Sequence, residues 1–288
     1  MLLFMGGCGS NTKPTAASTG QLSGNWQLSL LQEEPRPTQT LGVSGFLQQS
    51  SDGLTGNFVF PQSTANGNCA GVANLTGTVN AQSVQLTANE SGTVITFTGN
   101  ISSDGKSMSG NYQGLGGSCF TRPTTGTWNA VLIPELNGSF TGNLSNSSYM
   151  PLVNGVVPPA PVQVTGKLTQ SANIGASNAT LQGSISATNY PCFSTASLSG
   201  TITGANVILS IFSQTGVQIG TIGLPGSPAS VSSGSQGPAL TGTAGTTGLS
   251  LGGSTPTGVF GPCPPLLNSG GSSQPFDSAD VSFTFGSN

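Results

Sequence analysis

Five cysteines are the residues of this chain best suited to covalent chemistry, and the sequence contains no histidine to assist them. They are Cys8, Cys69, Cys119, Cys192 and Cys263. Without an imidazole the chain can form neither a Ser-His-Asp triad nor a Cys-His pair, and it offers no imidazole ligand to a metal. The cysteines are therefore expected to serve in lipid attachment or in disulfide bonds.

Two other patterns have catalytic associations, and both are weak. Gly248-Leu-Ser-Leu-Gly252 matches a nucleophile elbow, but that motif needs a strand–turn–helix setting and a His base. Asp104-Gly-Lys-Ser107 is similar to the end of a phosphate-binding loop, but the leading glycine of that motif is missing and the segment fits a hairpin turn. The sequence thus predicts no enzyme, no cofactor and no metal site.

The charge composition excludes one class of partner. The 288 residues include 5 Lys+Arg and 8 Asp+Glu, so that 5% of the chain is charged and the net charge is −3. Five basic residues cannot build the phosphate-neutralising face that nucleic-acid binding requires.

Disorder usually accompanies low hydrophobicity and high net charge, whereas 34% of this chain is hydrophobic. A folded chain that binds no nucleic acid is expected.

The N-terminus carries a lipid-attachment pattern. A short apolar run that contains Leu3 is followed by Gly6, Gly7 and Cys8, and these residues resemble the lipobox of bacterial lipoproteins. The resemblance implies that a signal peptidase cuts before Cys8 and that this thiol is diacylated. A working signal peptide needs a charged start and a longer apolar segment, so we expect translation to start upstream of Met1. The alternative is an incidental or buried cysteine near the terminus.

Residues 1–20 are accordingly interpreted as a truncated signal and lipobox followed by a flexible polar tether. The resemblance also implies a location, because Gly9 follows the cysteine in place of the Asp that retains such proteins in the inner membrane. We expect an outer-membrane lipoprotein that faces the periplasm or the cell surface, with the membrane as its partner through the anchor.

The two halves of the chain repeat each other. Leu75-Thr-Gly-Thr-Val79 after Cys69 matches Leu198-Ser-Gly-Thr-Ile202 after Cys192, and a constant offset of 123 residues relates them. Leu22-Ser-Gly-Asn-Trp26 likewise matches Leu136-Asn-Gly-Ser-Phe140. The sequence therefore predicts two homologous domains, 21–134 and 135–288, the second with long loops rich in Gly, Ser and Pro.

The cysteine count fits this organisation. Lipidation of Cys8 leaves four cysteines to pair in an oxidising compartment. Duplication copies a bond together with its domain, so we expect Cys69–Cys119 in the first repeat and Cys192–Cys263 in the second. Each bond would close a long loop and would stabilise its domain by roughly 4 kcal/mol.

The elements within each repeat are strands. Alternation of apolar and polar residues, as in Trp26-Gln-Leu-Ser-Leu30, indicates a half-buried strand. The first repeat contains eight such runs, near 23–31, 42–49, 54–60, 72–79, 82–88, 93–101, 107–113 and 126–133. An inward glycine recurs between apolar residues, and such glycines permit the bends that barrel closure needs. The predicted fold is all-β, with two tandem eight-stranded antiparallel up-and-down barrels; the alternative is a pair of β-sandwiches.

A family resemblance supports the barrel. Gly24-Asn-Trp26 on the first strand resembles the Gly-x-Trp motif of lipocalins, and Gly53-Leu-Thr-Gly-Asn-Phe58 is similar to avidin-like barrels. Both families belong to the calycin group, which implies a barrel able to hold a ligand. The chain as a whole resembles repeat-bearing β-rich lipoproteins of environmental bacteria.

Two functions compete on this evidence. The first is a non-catalytic structural or surface-interaction protein whose barrels are filled by their own side chains. The second is a module that binds a small apolar or glycan-like ligand at the mouth formed by the long loops, lined by Trp26, Phe120 and Trp128. Inward glycines leave space, which favours a cavity, whereas loops across the mouth and an aromatic content of 6% favour a filled barrel. We expect the first function.

Overall fold

A computed structural model describes 22–34, 39–51, 53–60, 71–90, 92–117, 119–145, 162–172, 178–188, 193–223, 228–234, 237–245, 266–267, 273–274 and 279–286. Within these residues the chain is all-β and contains no helix. Two closed eight-stranded antiparallel barrels follow one another along the chain, which confirms the predicted fold and its internal repeat and excludes the sandwich alternative.

Barrel 1 is an up-and-down meander in which each strand pairs with its neighbours in sequence and β8 closes on β1. The eight predicted runs correspond to its eight strands. These are β1 (Gly24–Glu34), β2 (Gln39–Ser50), β3 (Gly53–Phe60), β4 (Gly71–Asn80), β5 (Ser83–Glu90), β6 (Thr93–Ile101), β7 (Ser107–Gly116) and β8 (Phe120–Ile133).

Barrel 2 closes through the pairing of its last strand with its first. Its eight wall strands are β9 (Gly138–Ser145), β10 (Val162–Ala172), β11 (Ala179–Ala187), β12 (Thr195–Thr203), β13 (Asn206–Phe212), β15 (Ala229–Gly234), β16 (Gly237–Gly245) and β19 (Ala279–Phe285). A further strand, β14 (Gln218–Ile222), pairs with β13 and β16. The short strands β17 (Leu266–Leu267) and β18 (Ser273–Gln274) pair with each other.

Period-two burial explains why these segments form barrel walls. Along β5, Val84, Leu86 and Ala88 are buried, while Gln85 and Asn89 face outward. Alternation of this kind places one side chain in the core and the next in solvent. The buried residues divide into two clusters, one in each barrel.

The space beside the inward glycines is filled by neighbouring side chains and strands. A Cβ on Gly45 would lie 2.4 Å from Cδ1 of Phe58 and 2.2 Å from the carbonyl oxygen of Asn57. A Cβ on Gly166 of barrel 2 would lie 2.3 Å from Cζ of Phe140. Because a neighbouring ring already fills each of these positions, the glycines let strands and rings approach closely in a strongly bent sheet.

The second repeat departs from prediction between β14 and β16. Residues near 225–238 were expected to form a long loop because Gly, Ser and Pro are abundant there. Instead Ala229–Gly234 forms β15, in which Val231 is buried, and Gly237–Gly245 forms β16. Ala229 and Val231 are both buried, and the backbone of this strand pairs with β13 and β16. A segment whose composition resembles a loop therefore forms a strand.

The junction between the barrels is short. β8 ends at Ile133 and β9 begins at Gly138. Leu132 packs against the core of barrel 1, whereas the next residue, Ile133, belongs to the core cluster of barrel 2. Consecutive side chains therefore enter different barrels, close to the predicted boundary at 134/135.

The glycine–aromatic contact predicts the result of a matched pair of substitutions on β2. Gly45→Ala should lower the free energy of unfolding of barrel 1 by about 1–3 kcal/mol, because the new methyl overlaps Phe58 and strand β3. Gly42→Ala is the control, since its Cβ would meet only Nε2 of Gln27, at 3.8 Å. It should be neutral or stabilising by up to about 1 kcal/mol. Urea unfolding measures both, and equal effects would contradict the packing argument.

Candidate functional site: the long-loop end of barrel 1

The strand directions place four connections at one end of barrel 1. Residues 35–38, 61–70, 91–92 and 117–119 join successive strands there, while 51–52, 81–82 and 102–106 lie at the opposite end. Cys119 lies in the β7–β8 connection, at the same end of the barrel as the β3–β4 connection. We refer to this end as the long-loop end and to the other as the short-turn end.

A buried carboxyl lies beside Cys119 at this end. Cys119 has no exposed surface, and its Sγ lies 3.0 Å from Oε2 of Glu90, which is itself 4% exposed. Gly71 at the start of β4 approaches closely on the other side, since a Cβ there would lie 2.7 Å from Oε1 of Glu90. Glu90 thus links β4 and β5 to the β7–β8 connection across the barrel end.

Thr93 organises the neighbouring backbone. Its hydroxyl donates to the carbonyl oxygen of Gly116 at 2.9 Å and accepts from the backbone N–H of Cys119 at 3.3 Å. Gly117 adopts a φ of +67°, and a Cβ there would lie 2.1 Å from Oγ1 of Thr93. The threonine therefore holds the β7–β8 connection against the start of β6.

Sequence reasoning missed Glu90 and Thr93. A signal for Glu90 was present, because it continues the inward series of Val84, Leu86 and Ala88 along β5. Glu90 is 4% exposed and lies beside Cys119, so it takes part in the packing of this barrel end.

The other cysteines lie outside the described residues. Cys8, Cys69, Cys192 and Cys263 all fall there. The lipid attachment at Cys8 and both disulfide pairings therefore stay predictions. The elbow-like Gly248–Gly252 segment also falls outside the described residues.

The three predicted ligand-lining residues are core side chains. Trp26 is fully buried, and Phe120 and Trp128 are each 2% exposed. The indole N–H of Trp26 donates to the carbonyl oxygen of Leu22 at 2.9 Å, and that of Trp128 donates to the carbonyl oxygen of Thr98 at 3.2 Å. Both indole donors are thus satisfied by backbone of their own barrel, and their ligand-binding role stays a prediction.

An aromatic cluster fills the middle of barrel 1. The ring of Phe97 lies 6.1 Å from that of Phe58, 6.2 Å from that of Tyr112 and 5.5 Å from that of Trp128, centroid to centroid. Two of these pairs meet edge to face, an arrangement that is favourable beyond the burial itself. Strands β3, β6, β7 and β8 each contribute one ring to the cluster.

Asp104, in the segment similar to a phosphate-binding loop, belongs to an exposed turn. Its Oδ1 accepts from the hydroxyl of Ser102 at 2.6 Å and from the backbone N–H of Lys106 at 3.0 Å. These hydrogen bonds, the one from Ser102 above all, lower the pKa of Asp104. The segment is the β6–β7 hairpin turn that its sequence predicted.

Two further classes of site are absent from the described residues. No group of three or more Cys, Asp or Glu side chains is placed to hold a metal ion there. No helix in the same part of the chain is long and apolar enough to cross a membrane.

Comparisons with known proteins do not assign the site. No protein-family model matches the chain, and neither curated proteins nor solved structures match it.

The environment of Tyr112 predicts a loss of stability at alkaline pH. Burial, with a smaller effect of the Glu33 carboxylate, raises the pKa of Tyr112 from 10.0 to about 12. Below pH 10 the folded and unfolded chains both keep this proton. Between pH 10 and about 12 the unfolded chain loses it first, so the free energy of unfolding should fall over this range.

Urea unfolding at pH 8, 10 and 11 measures this effect, with Tyr112→Phe as the variant that removes the titrating group. The variant should lose this part of the pH dependence. An equally steep decline in both proteins would show that another group is responsible.

Proposed function

We propose that the chain is an exported, lipid-anchored, non-catalytic structural or surface-interaction protein. In this proposal Cys8 carries the lipid, 9–20 form the tether, and the two barrels are self-filled modules held at the outer membrane. The observation that carries the structural role is the occupied interior: the rings of barrel 1 pack on one another, and both Trp N–H donors bind backbone.

The outer wall of barrel 1 supports the same proposal. Thr55, Thr76, Thr87 and Thr96 form one row across β3–β6, each aligned with the next by strand pairing. On strands β3–β7, all of whose residues are described, the outward positions carry no charged side chain. The wall is uncharged on these strands and carries many hydroxyl and amide groups, with Val72, Val94 and Leu115 exposed among them. Because the sheet is closed without a free edge, it offers no strand for aggregation.

The path of the chain gives the module a direction. β1 begins at the short-turn end of barrel 1, so a tether from Cys8 would join the barrel there. The long-loop end, with Cys119 and Glu90, would then point away from the membrane. A surface partner would meet this end, where 61–70 form the longest connection of barrel 1.

The alternative function is a binding module for a small apolar or glycan-like ligand at the long-loop end. It would need Trp26, Phe120 or Trp128 to reach a ligand, and their burial and hydrogen bonds favour the structural role.

The anchoring part of the proposal predicts the fate of Cys8→Ser. Extracted from its native host, the chain should fractionate with outer membranes and carry a diacylated N-terminal Cys8, detected by mass spectrometry of the extracted protein. Cys8→Ser should remove the lipid mass and release the chain from the membrane, whereas the control Ser10→Ala should change neither. Recovery of a soluble, unmodified native chain that still carries Met1 would contradict the proposal.

A further inference from the structure

The hairpin turn between β12 and β13 of barrel 2 lies against the wall of barrel 1. The side chain of Asn25 binds both backbone groups of Gly204: its Nδ2 donates to the carbonyl oxygen, and its Oδ1 accepts from the N–H at 2.7 Å. The N–H of Ala205 donates to Oε1 of Gln27 at 3.2 Å. Asn25 is 1% exposed, so these bonds form away from solvent.

The turn is shaped for this contact. Gly204 has a φ of +57°, and a Cβ there would lie 2.4 Å from Cβ of Ser44 and 2.5 Å from Oε1 of Gln27. Glycine is therefore needed at this position for two reasons: the backbone conformation has a positive φ, and barrel 1 lies too close for a side chain. The carbonyl oxygen of Ala205 also accepts from the N–H of Val231 at 2.9 Å, which fastens the turn to β15 of its own barrel.

The matching elements of the two repeats lack this contact. By the repeat offset Gly204 corresponds to Ala81, which keeps a left-handed φ of 52° but is exposed. On the first strands the repeats align at an offset of 114 residues, so Asn25 and Gln27 correspond to Ser139 and Thr141 on barrel 2, which are also exposed. The long amide side chains of Asn25 and Gln27 thus occur on the wall of barrel 1 that contacts the turn. The equivalent wall of barrel 2 has shorter side chains at these positions.

We propose that Asn25 and Gln27 form a clamp that joins the two barrels into one rigid body. The clamp acts together with the short junction, where Leu132 and Ile133 enter different cores. Opening it would exchange three protein–protein hydrogen bonds for bonds to water, and the net stabilisation by the intact bonds disfavours separation. Both sides of the contact lie near short-turn ends, so the two long-loop ends would be held at a fixed mutual orientation. The inference does not rest on the lipid anchor or on the proposed function.

Backbone ¹⁵N relaxation and calorimetry on the full chain of 288 residues test the clamp. The wild-type barrels should share one rotational correlation time and one thermal transition. Asn25→Ser combined with Gln27→Thr installs the residues of the second repeat and should give each barrel its own, shorter correlation time and its own transition. The control Ser139→Asn with Thr141→Gln makes the reverse exchange on the other wall and should leave both readouts unchanged.

Gly204→Ala tests the clamp from barrel 2, so that a fault within barrel 1 cannot imitate the result. It should also split the correlation time, whereas Ala81→Gly at the equivalent free turn should not. Retention of one correlation time and one transition in both Gly204→Ala and the Asn25/Gln27 double variant would overturn the proposal. Two correlation times in the wild-type protein would overturn it as well.

Discussion

Closure of an eight-stranded sheet around its own side chains is the constraint on which the rest of this structure depends. A small barrel needs strong bending, and bending crowds the inward face. In barrel 1 the missing side chain of Gly45 leaves room for the ring of Phe58, and that of Gly126 leaves room for the ring of Tyr112. A Cβ on Gly126 would lie 2.8 Å from Cε1 of Tyr112. Glycine and aromatic ring therefore act as pairs across neighbouring strands, and the chain can close with few charged residues and with no free edge.

The filled interior limits where function can reside. Side chains that would otherwise be available to a ligand, such as Trp128, are held by backbone hydrogen bonds within the wall. Among the described residues the outer wall and the turns stay accessible. At the long-loop end of barrel 1, Glu90 and Thr93 lie against the β7–β8 connection.

Much of this architecture could be predicted from sequence because its signals are local and periodic. Alternation placed the eight strands of the first repeat, and the repeat offset related the β4–β5 turn at Ala81 to the docking turn at Gly204. β15 was missed because Gly and Ser dominate it, and its strand pairing comes from non-local neighbours. The inward glycines were taken to favour a cavity, since sequence does not show which ring enters the space beside each of them. The Asn25–Gly204 contact joins residues that are 179 positions apart, and no sequence pattern in either segment predicts it.

The occupied interior of barrel 1 is the central claim, and acrylamide quenching of tryptophan fluorescence tests it most directly. The chain contains two Trp residues, and both lie in this core. Because their rings are covered by protein atoms on all sides, the folded chain should emit at short wavelength and be quenched far less than the same chain unfolded in urea. Quenching of the folded chain close to the unfolded level, at neutral pH and without loss of β-type circular dichroism, would show an open, water-filled barrel and would contradict the account.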